Sequence, residues 1–438
     1  MRSKDRVYKL RKKYLSPSMS LSYDHPIHIV EGKGQYLYDE KGTKYLDGVN
    51  NIQHIGHSHP SVTEAANKQL KKLNTNTRYL DETIIDYSEA LLKKLPDGLN
   101  KFFFTNSGSE SNDLALRLAR HYTGSNQTLV LDGAYHGHLT SLIEISPYKY
   151  NGPGGSGAPG FVHAAPIPDP FRGIHRGEES GELYVNEIQK ILHRLQSENK
   201  TISTFIAESI MGCGGQLIPP KGFLSGAYNL IRDNNGICIA DEVQIGFGRL
   251  GKKFWGFETQ KVVPDIVTLG KSIGNGHPLS LVVTTSSIAE KFNNGMEYFN
   301  SYGGNPVSCA IGHAVLKVID EENLQARSKK VGKELKSMLL DIKKQYDIIG
   351  DIRGMGLFIG IELIDDKHNL EPNSNAATSI VNTMKDHGIL LSVDGPEKNV
   401  IKIKPPLVFN KKNAAFLVEN LDTVFSKYKK DRKKTLPR

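Results

Sequence analysis

Two carboxylates and a lysine, each at the end of an apolar run, carry the most distinctive chemistry in this sequence. IADEVQIGFGRLG (239–251) sets Asp241 and Glu242 after a run apolar enough to be a strand buried on both faces. VTLGKSIGNGHP (267–278) sets Lys271, 30 residues beyond Asp241, at the end of a second such run, among glycines. A strand-end carboxylate and a strand-end lysine converge on one crevice when both strands lie in a parallel sheet, because ligands bind outside its carboxyl edge. A lysine there can act as a general base and a carboxylate can hold a positive centre. Taken singly, each residue has a plainer reading. A strand-end lysine is more often at the surface, and a buried aspartate is more often a structural hydrogen-bonding group.

A third segment tips that balance. NSGSESND (106–113) stands between a β-rich run, KFFFTNS (101–107), and a helical one, SESNDLALRLARHY (109–122). Its small residues let the amides of Gly108 and Ser109 face an anion at the helix N-terminus. The same residues also suit a plain N-cap, with Ser107 or Ser109 capping. In AYHG (134–137), Tyr135 reads either as core packing or as a platform for a ring. GPGGSGAP (152–159) lacks the Lys-Ser/Thr ending of a nucleotide P-loop, so it is read as a surface loop without a phosphate role.

These residues need elements to position them, and 438 residues with 38% hydrophobic and 24% charged side chains are ample for two or three domains. QTLVLDG, TFIAES, GICIADEV, PDIVTLG and LSLVVTT read as strands that alternate with helices, the pattern of an α/β fold with a mostly parallel sheet. After Asn305-Pro306 the texture changes to a long helical stretch (307–324), a charged helix (325–345), two strands (347–364) and a helix (376–387). Short strands and a last helix (411–429) follow. The expected organisation is an N-terminal segment (1–45) packing on the small domain, a large domain (46–306), a small C-terminal α/β domain (307–430) and a basic tail (431–438).

Composition excludes several classes. No apolar run approaches the ~18 residues of a membrane span. Cys213, Cys238 and Cys309 are too far apart for a disulfide scaffold or a metal site and fit a reducing compartment. The net charge of +9 belongs to the two ends: residues 1–13 and 427–438 each hold seven basic side chains against one aspartate. The body is slightly acidic, so a nucleic-acid-binding role has no support. The basic leader is either a solvated end or a mitochondrial targeting segment, with the cytoplasm as the alternative location.

Taken in order, the motifs resemble those of the fold-type I pyridoxal-phosphate enzymes, and specifically the class-III aminotransferase family. The likeness covers about residues 25–425: GHSHP (56–60), NSGSESNDLALRLAR, AYHG, AES (207–209), ADEVQIGFGR, GKSIGNGHP, SYGGNP (301–306) and IRGMGLFIGIEL (352–363). The resemblance implies pyridoxal 5'-phosphate as cofactor, with Lys271 its Schiff-base lysine and Asp241 pairing with the pyridine nitrogen. By the same likeness Gln244 contacts the ring hydroxyl, Tyr135 stacks on the ring, and Gly108, Ser109 and Glu208 belong to the cofactor site. Ser301 stands where the family usually has threonine and would reach the cofactor phosphate of the neighbouring subunit, in a homodimer or dimer of dimers. No metal is implied.

Within the family the likeness runs toward ammonia phospho-lyases acting on phosphoethanolamine or phosphohydroxylysine. LNTNTRYL (73–80), ESIMGCGGQLIPPKGF (208–223), GMEYFNSYGGNPVSCA (295–310) and VIKIKPPLVF (400–409) carry it. Many ω-aminotransferases bind the substrate carboxylate through an arginine that a glutamate can neutralise. Here Lys402 and Cys213 stand at those two positions. Lysine lacks the bidentate fork that matches a carboxylate. The expected reaction is cleavage of O-phosphoethanolamine to acetaldehyde, ammonia and phosphate, with Asn50, Asn51, Arg78 and Lys402 as candidate substrate contacts. The alternatives are a 5-phosphohydroxylysine phospho-lyase, toward which GKSIGNG and RHYTG point, and a class-III ω-aminotransferase such as the alanine-glyoxylate type. A non-enzymatic binding role conflicts with the intact set of Lys271, Asp241 and Gln244.

Overall fold

The computed structural model describes residues 1–435. After a helix, Lys4–Tyr14, the chain forms a meander of β1 (Ile29–Lys33), β2 (Tyr36–Asp39) and β3 (Lys44–Asp47). A central sheet follows, built from β4 (Lys101–Thr105), β5 (Gln127–Leu131), β6 (Val162–Ala165), β7 (Ile202–Glu208), β8 (Ile237–Asp241), β9 (Ile266–Leu269) and β10 (Ser280–Thr284). Beyond the helix Pro306–Glu321 come β11 (Ile349–Met355), β12 (Phe358–Leu363), β13 (Ile389–Leu390), β14 (Ser392–Asp394) and β15 (Val400–Ile403).

The central sheet has the order β4-β10-β9-β8-β7-β5-β6. Its strands are parallel except β10, which runs antiparallel to both its neighbours. Every residue of β7 and β8 is buried, because alternate side chains enter two different cores. Ile206 and Ile239 pack with Leu114 and Leu118 of the helix Gly108–Thr123. Phe205 and Cys238 pack with Ile188 and Tyr228 of the helices Gly181–Ser197 and Phe223–Asp233 on the other face. Ser107 caps the helix Gly108–Thr123 by accepting from the Glu110 amide, and Gly124, at φ 71°, ends it in the left-handed region.

The smaller C-terminal unit is an antiparallel sheet, β11-β12-β15-β14, backed by the helices Leu324–Lys343, Ser374–Asp386 and Lys411–Thr435. The N-terminal meander joins it through β3, which pairs in parallel with β13. A second stitch forms beside this pair. The Lys404 amide donates to Gly48 O at 2.8 Å, and a Cβ on Gly48 would lie 2.9 Å from Leu390 O, so only glycine fits there. This junction brings residues 48–51 against the segment 390–404.

The last helix runs further than its sequence pattern indicates. It continues to Thr435, where a basic tail beginning at 431 is the expectation, and 436–438 of that tail lie outside the described residues. Its last turns are tied down by Lys429 Nζ to Gln345 O (3.1 Å) and Arg432 to Asp365 (2.9 Å). No helix among the described residues is long and apolar enough to cross a membrane.

Candidate active site

The parallel strands end on one edge, and the register there is informative. Glu208 and Asp241 are direct partners across β7 and β8, and Asp241 is in turn opposite Thr268 of β9. Lys271 lies just past β9 with φ 40°, an uncommon conformation for a residue carrying a side chain. The surroundings hold it there. Asn275 clamps the following turn by accepting from the Ile55 amide and donating to Gly56 O, both at 2.9 Å.

Three donors meet Asp241. Oδ2 accepts from Asn112 Nδ2 (2.8 Å) and His136 Nδ1 (2.9 Å), and Oδ1 accepts from the Val243 amide (3.1 Å). That is the partner set of an anion. Glu208 is in the opposite situation. It meets Gln244 Nε2 through Oε1, at a long 3.3 Å, and the Gly212 backbone, and its buried Oε2 has no hydrogen-bond partner among the described residues. Burial, then the charge of Asp241, pushes its pKa up to about 8. Glu242, next along the chain from Asp241, points away from the edge. It accepts from the Gly256 and Phe257 amides and from Ser209, so it holds the 256–257 turn and takes no part in the crevice.

A chamber of about 320 Å³ opens at this edge, lined by Gly108, Ser109, Tyr135, Glu208, Asp241 and Lys271 among others. The helix N-terminus bounds one side, where Gly108 and Ser109 precede the first intrahelical bond, Ser111 N to Ser107 O. Glycine is required at 108, since a Cβ would come within 2.9 Å of Val243. The donor set fits a flat cofactor with a phosphate at one end and a basic ring nitrogen at the other. Backbone amides at the helix N-terminus suit the anion, the Asp241 carboxylate suits the nitrogen, and Lys271 lines the same chamber.

A second chamber, about 470 Å³, adjoins the first, and Tyr135, Gln244 and Lys271 line both. Its far wall carries Asn50, Asn51, Cys213, Asp394, Lys402 and Lys404. Lys402 and Lys404 each place Nζ 3.4 Å from Asp394 Oδ2, and Lys404 Nζ also donates to Gln244 Oε1 at 2.9 Å. Burial lowers the Lys404 pKa while Asp394 opposes that shift. The Cys213 thiol is pushed up to about 12 by burial, so it stands as a neutral wall.

Of the residues singled out from sequence, Gly108, Ser109, Tyr135, Glu208, Asp241, Gln244 and Lys271 come together in the first chamber. Asn50, Asn51 and Lys402 meet in the second. Arg78 and Ser301 are in neither. Arg78 forks onto the Glu297 carboxylate, with its guanidinium 4.1 Å from the Phe299 ring centre, and Ser301 is exposed on the adjoining turn. Asn112, His136, Asp394 and Lys404 are site residues that the sequence reading did not select. Asn112 was visible as a polar position inside an apolar helix face, and Lys404 as the second lysine of an alternating K-I-K run.

This architecture, with its crevice at the carboxyl edge, defines a class: a fold-type I pyridoxal-phosphate-dependent enzyme. The model of the aminotransferase class-III family matches residues 18–425, and the chain belongs to that family. Pyridoxal phosphate is accordingly its cofactor. An "Alanine--glyoxylate aminotransferase 2-like" protein of Drosophila melanogaster is 47% identical, over 94% of this chain and 85% of the relative. "Ethanolamine-phosphate phospho-lyase homolog 1" of Caenorhabditis elegans is 43% identical, over 97% of this chain and 94% of the relative. Among solved structures, a phospholyase from Arthrobacter in complex with phosphoethanolamine superposes with a TM-score of 0.91 at 37% identity, covering 98% of this chain and all of the other.

Proposed function

We propose that the protein is an ammonia phospho-lyase that cleaves O-phosphoethanolamine to acetaldehyde, ammonia and phosphate. The observation that carries this reading is the far wall of the second chamber, where Lys402 and Lys404 stand beside neutral Cys213. Two point charges suit a tetrahedral dianion, whereas a planar carboxylate is best met by an arginine fork. Likeness to the nematode phospho-lyase homologue and to the Arthrobacter phospholyase supports the same reading.

In this reading Lys271 carries the cofactor, Asp241 faces its ring nitrogen, and the amides of Gly108 and Ser109 meet its phosphate. Tyr135 and Gln244 face the ring, with Glu208 beside them. When bound, pyridoxal phosphate supplies an electron sink that weakens the substrate C–H bond next to nitrogen. Lys271 would be the base that takes that proton. The C–O bond to phosphate on the neighbouring carbon then breaks, and Asn50, Asn51 and Lys402 receive the departing anion. The substrate and one water together would give acetaldehyde, ammonia and phosphate.

The active unit is a homodimer in this proposal. Tyr79, Leu80, Met296, Phe299 and Tyr302 form an exposed apolar group around the Arg78–Glu297 pair, and Ser301 lies within it. Residence in the mitochondrion is part of the same proposal, supported by the basic helix Lys4–Tyr14, and an import assay with purified organelles tests it.

A transaminase reading draws on the aminotransferase name of the Drosophila relative, and a longer substrate, 5-phosphohydroxylysine, presents the same phosphate beside an amine. Incubation of the holoenzyme with each phosphorylated amine, without any keto acid, separates the three. Equal release of phosphate and ammonia from phosphoethanolamine over many turnovers is the expected result. A requirement for pyruvate or 2-oxoglutarate would overturn the lyase reading.

A further inference from the structure

Between β7 and the helix Phe223–Asp233 the chain makes a turn, 212–216, that follows the central sheet in sequence but is gripped from the smaller unit. Arg353 Nε donates to Gly215 O at 2.7 Å, the Gly395 amide to Cys213 O at 3.1 Å, and Gln216 Nε2 to Asp394 Oδ2 at 3.0 Å. Toward the large unit the same turn meets two residues of the cofactor chamber. The Gly212 backbone bonds Glu208, and Gln244 Nε2 lies 3.9 Å from Cys213 Sγ. A Cβ on Gly212 would stand 2.7 Å from Gln244 Nε2 and 2.9 Å from Glu208 Oε1, so the turn lies directly against them.

A buried cluster of charge fixes Arg353 in turn. Its Nη1 donates to the fully buried Glu362 of β12, which also accepts from Arg172 on the loop after β6 and from Asn399 Nδ2 at 3.2 Å. Burial would raise the Glu362 pKa, but Arg353 and Arg172 outweigh it and hold the carboxyl below its ordinary range. The guanidinium presses on the turn: a Cβ on Gly215 would lie 2.9 Å from Arg353 Nη2, and Gly215 has φ 101°, a conformation that favours glycine. Desolvation offsets most of the attraction within a buried ion cluster, so what this one fixes is the place of the Arg353 fork.

We propose that the turn 212–216 is the joint through which the smaller unit sets the Cys213 wall of the second chamber and the Glu208 side of the first, with Arg353 as its positioning residue. Arg353 touches neither chamber. It acts through Gly215 O, while Glu362 and Arg172 hold its other edge. This goes beyond the lyase reading, because the joint serves whichever amine the chambers accept.

The test is amide hydrogen exchange of the holoenzyme, read by mass spectrometry, beside steady-state kinetics. Arg353→Lys keeps a charge next to Glu362, but one ammonium cannot serve Glu362 and Gly215 O together. Exchange at the amides of Met211, Gly215 and Leu217, which are bonded within the turn and its flanking bridge, should therefore quicken about tenfold to a hundredfold, the worth of a hydrogen bond from a charged group. Exchange in β8 should stay at the wild-type rate. The KM for phosphoethanolamine should rise at least about threefold, and by more than kcat falls, with cofactor occupancy kept. Turn exchange within about twofold of wild type would overturn the proposal, as would equal quickening in β8, the mark of a purely structural role. A loosened turn with KM unchanged would also overturn it. If Arg353→Lys does not fold, Arg172→Met, at the partly exposed end of the cluster, decides by the same readings. A keto-acid requirement would sink the lyase reading alone, since exchange and the KM of the amine donor would still judge the joint.

Discussion

His136 Nδ1 donates to Asp241 Oδ2 across 2.9 Å, with both side chains buried. A carboxylate only accepts, so the imidazole carries its proton on Nδ1. The same oxygen receives Asn112 from the helix Gly108–Thr123. Three separate parts of the chain, the loop after β5, a helix and a strand end, thereby orient one carboxylate. We expect His136→Phe to retain cofactor but to lower kcat/KM about tenfold to a hundredfold, the worth of a hydrogen bond to a charged group. Steady-state kinetics beside Asp241→Asn, which should lose more, provide the check. An unchanged kcat/KM in His136→Phe would show that this contact is structural only.

Lys271 should be the residue to which borohydride fixes the cofactor. Peptide mapping that finds the label on another lysine would refute the assignment. Lys271→Ala should lose at least the roughly 10²–10⁴-fold contribution of a positioned general base, together with the covalent tether.

Glu208 gives the apoprotein a pH dependence of stability. Its folded pKa of about 8 lies above the ordinary 4.5, so the folded state holds the proton more tightly. The resulting stabilisation is complete below about 4.5 and is lost as pH rises toward about 8, at about 1.4 kcal/mol per unit at most. Thermal unfolding of cofactor-free protein should fall between pH 5 and 8 in the wild type and change less in Glu208→Gln. Parallel curves for the two proteins would contradict this.

The proposed homodimer, with Ser301 serving its partner's site, predicts complementation. Mixed Lys271→Ala and Ser301→Ala protomers should yield some sites carrying both lesions and others carrying neither, so mixing restores activity above that of either parent. Leu80→Asp, placed in the exposed apolar group, should shift sedimentation toward monomer and reduce activity with it. A fully active monomer at assay concentration would remove the dimer from the proposal.

Much of the site was legible from the residues themselves. Apolar runs that end in one polar residue mark strands buried on both faces, and the residue closing such a run must emerge at the sheet edge. Asp241 is such a residue, and Lys271, beyond the glycine that closes its run, is another. Gly108 and Ser109 follow from the change of period between KFFFTNS and the helix after it. Local chemistry suffices in these cases because the strand and helix periods are properties of the backbone.

What only the tertiary structure decided involves long-range pairing. Alternation puts Lys402 of β15 and Lys404, just past its end, on one side, but the pairing of β15 with β12 and β14 determines that this side faces the chamber. Asn112 and His136 converge on Asp241 only because the helix and the loop after β5 cross the same sheet edge. Arg78, a substrate candidate from sequence, pairs at the surface with Glu297, a partner 219 residues away. Side-chain type and spacing specify which groups are available; which of them meet depends on contacts between segments far apart in the chain, and no local period encodes those.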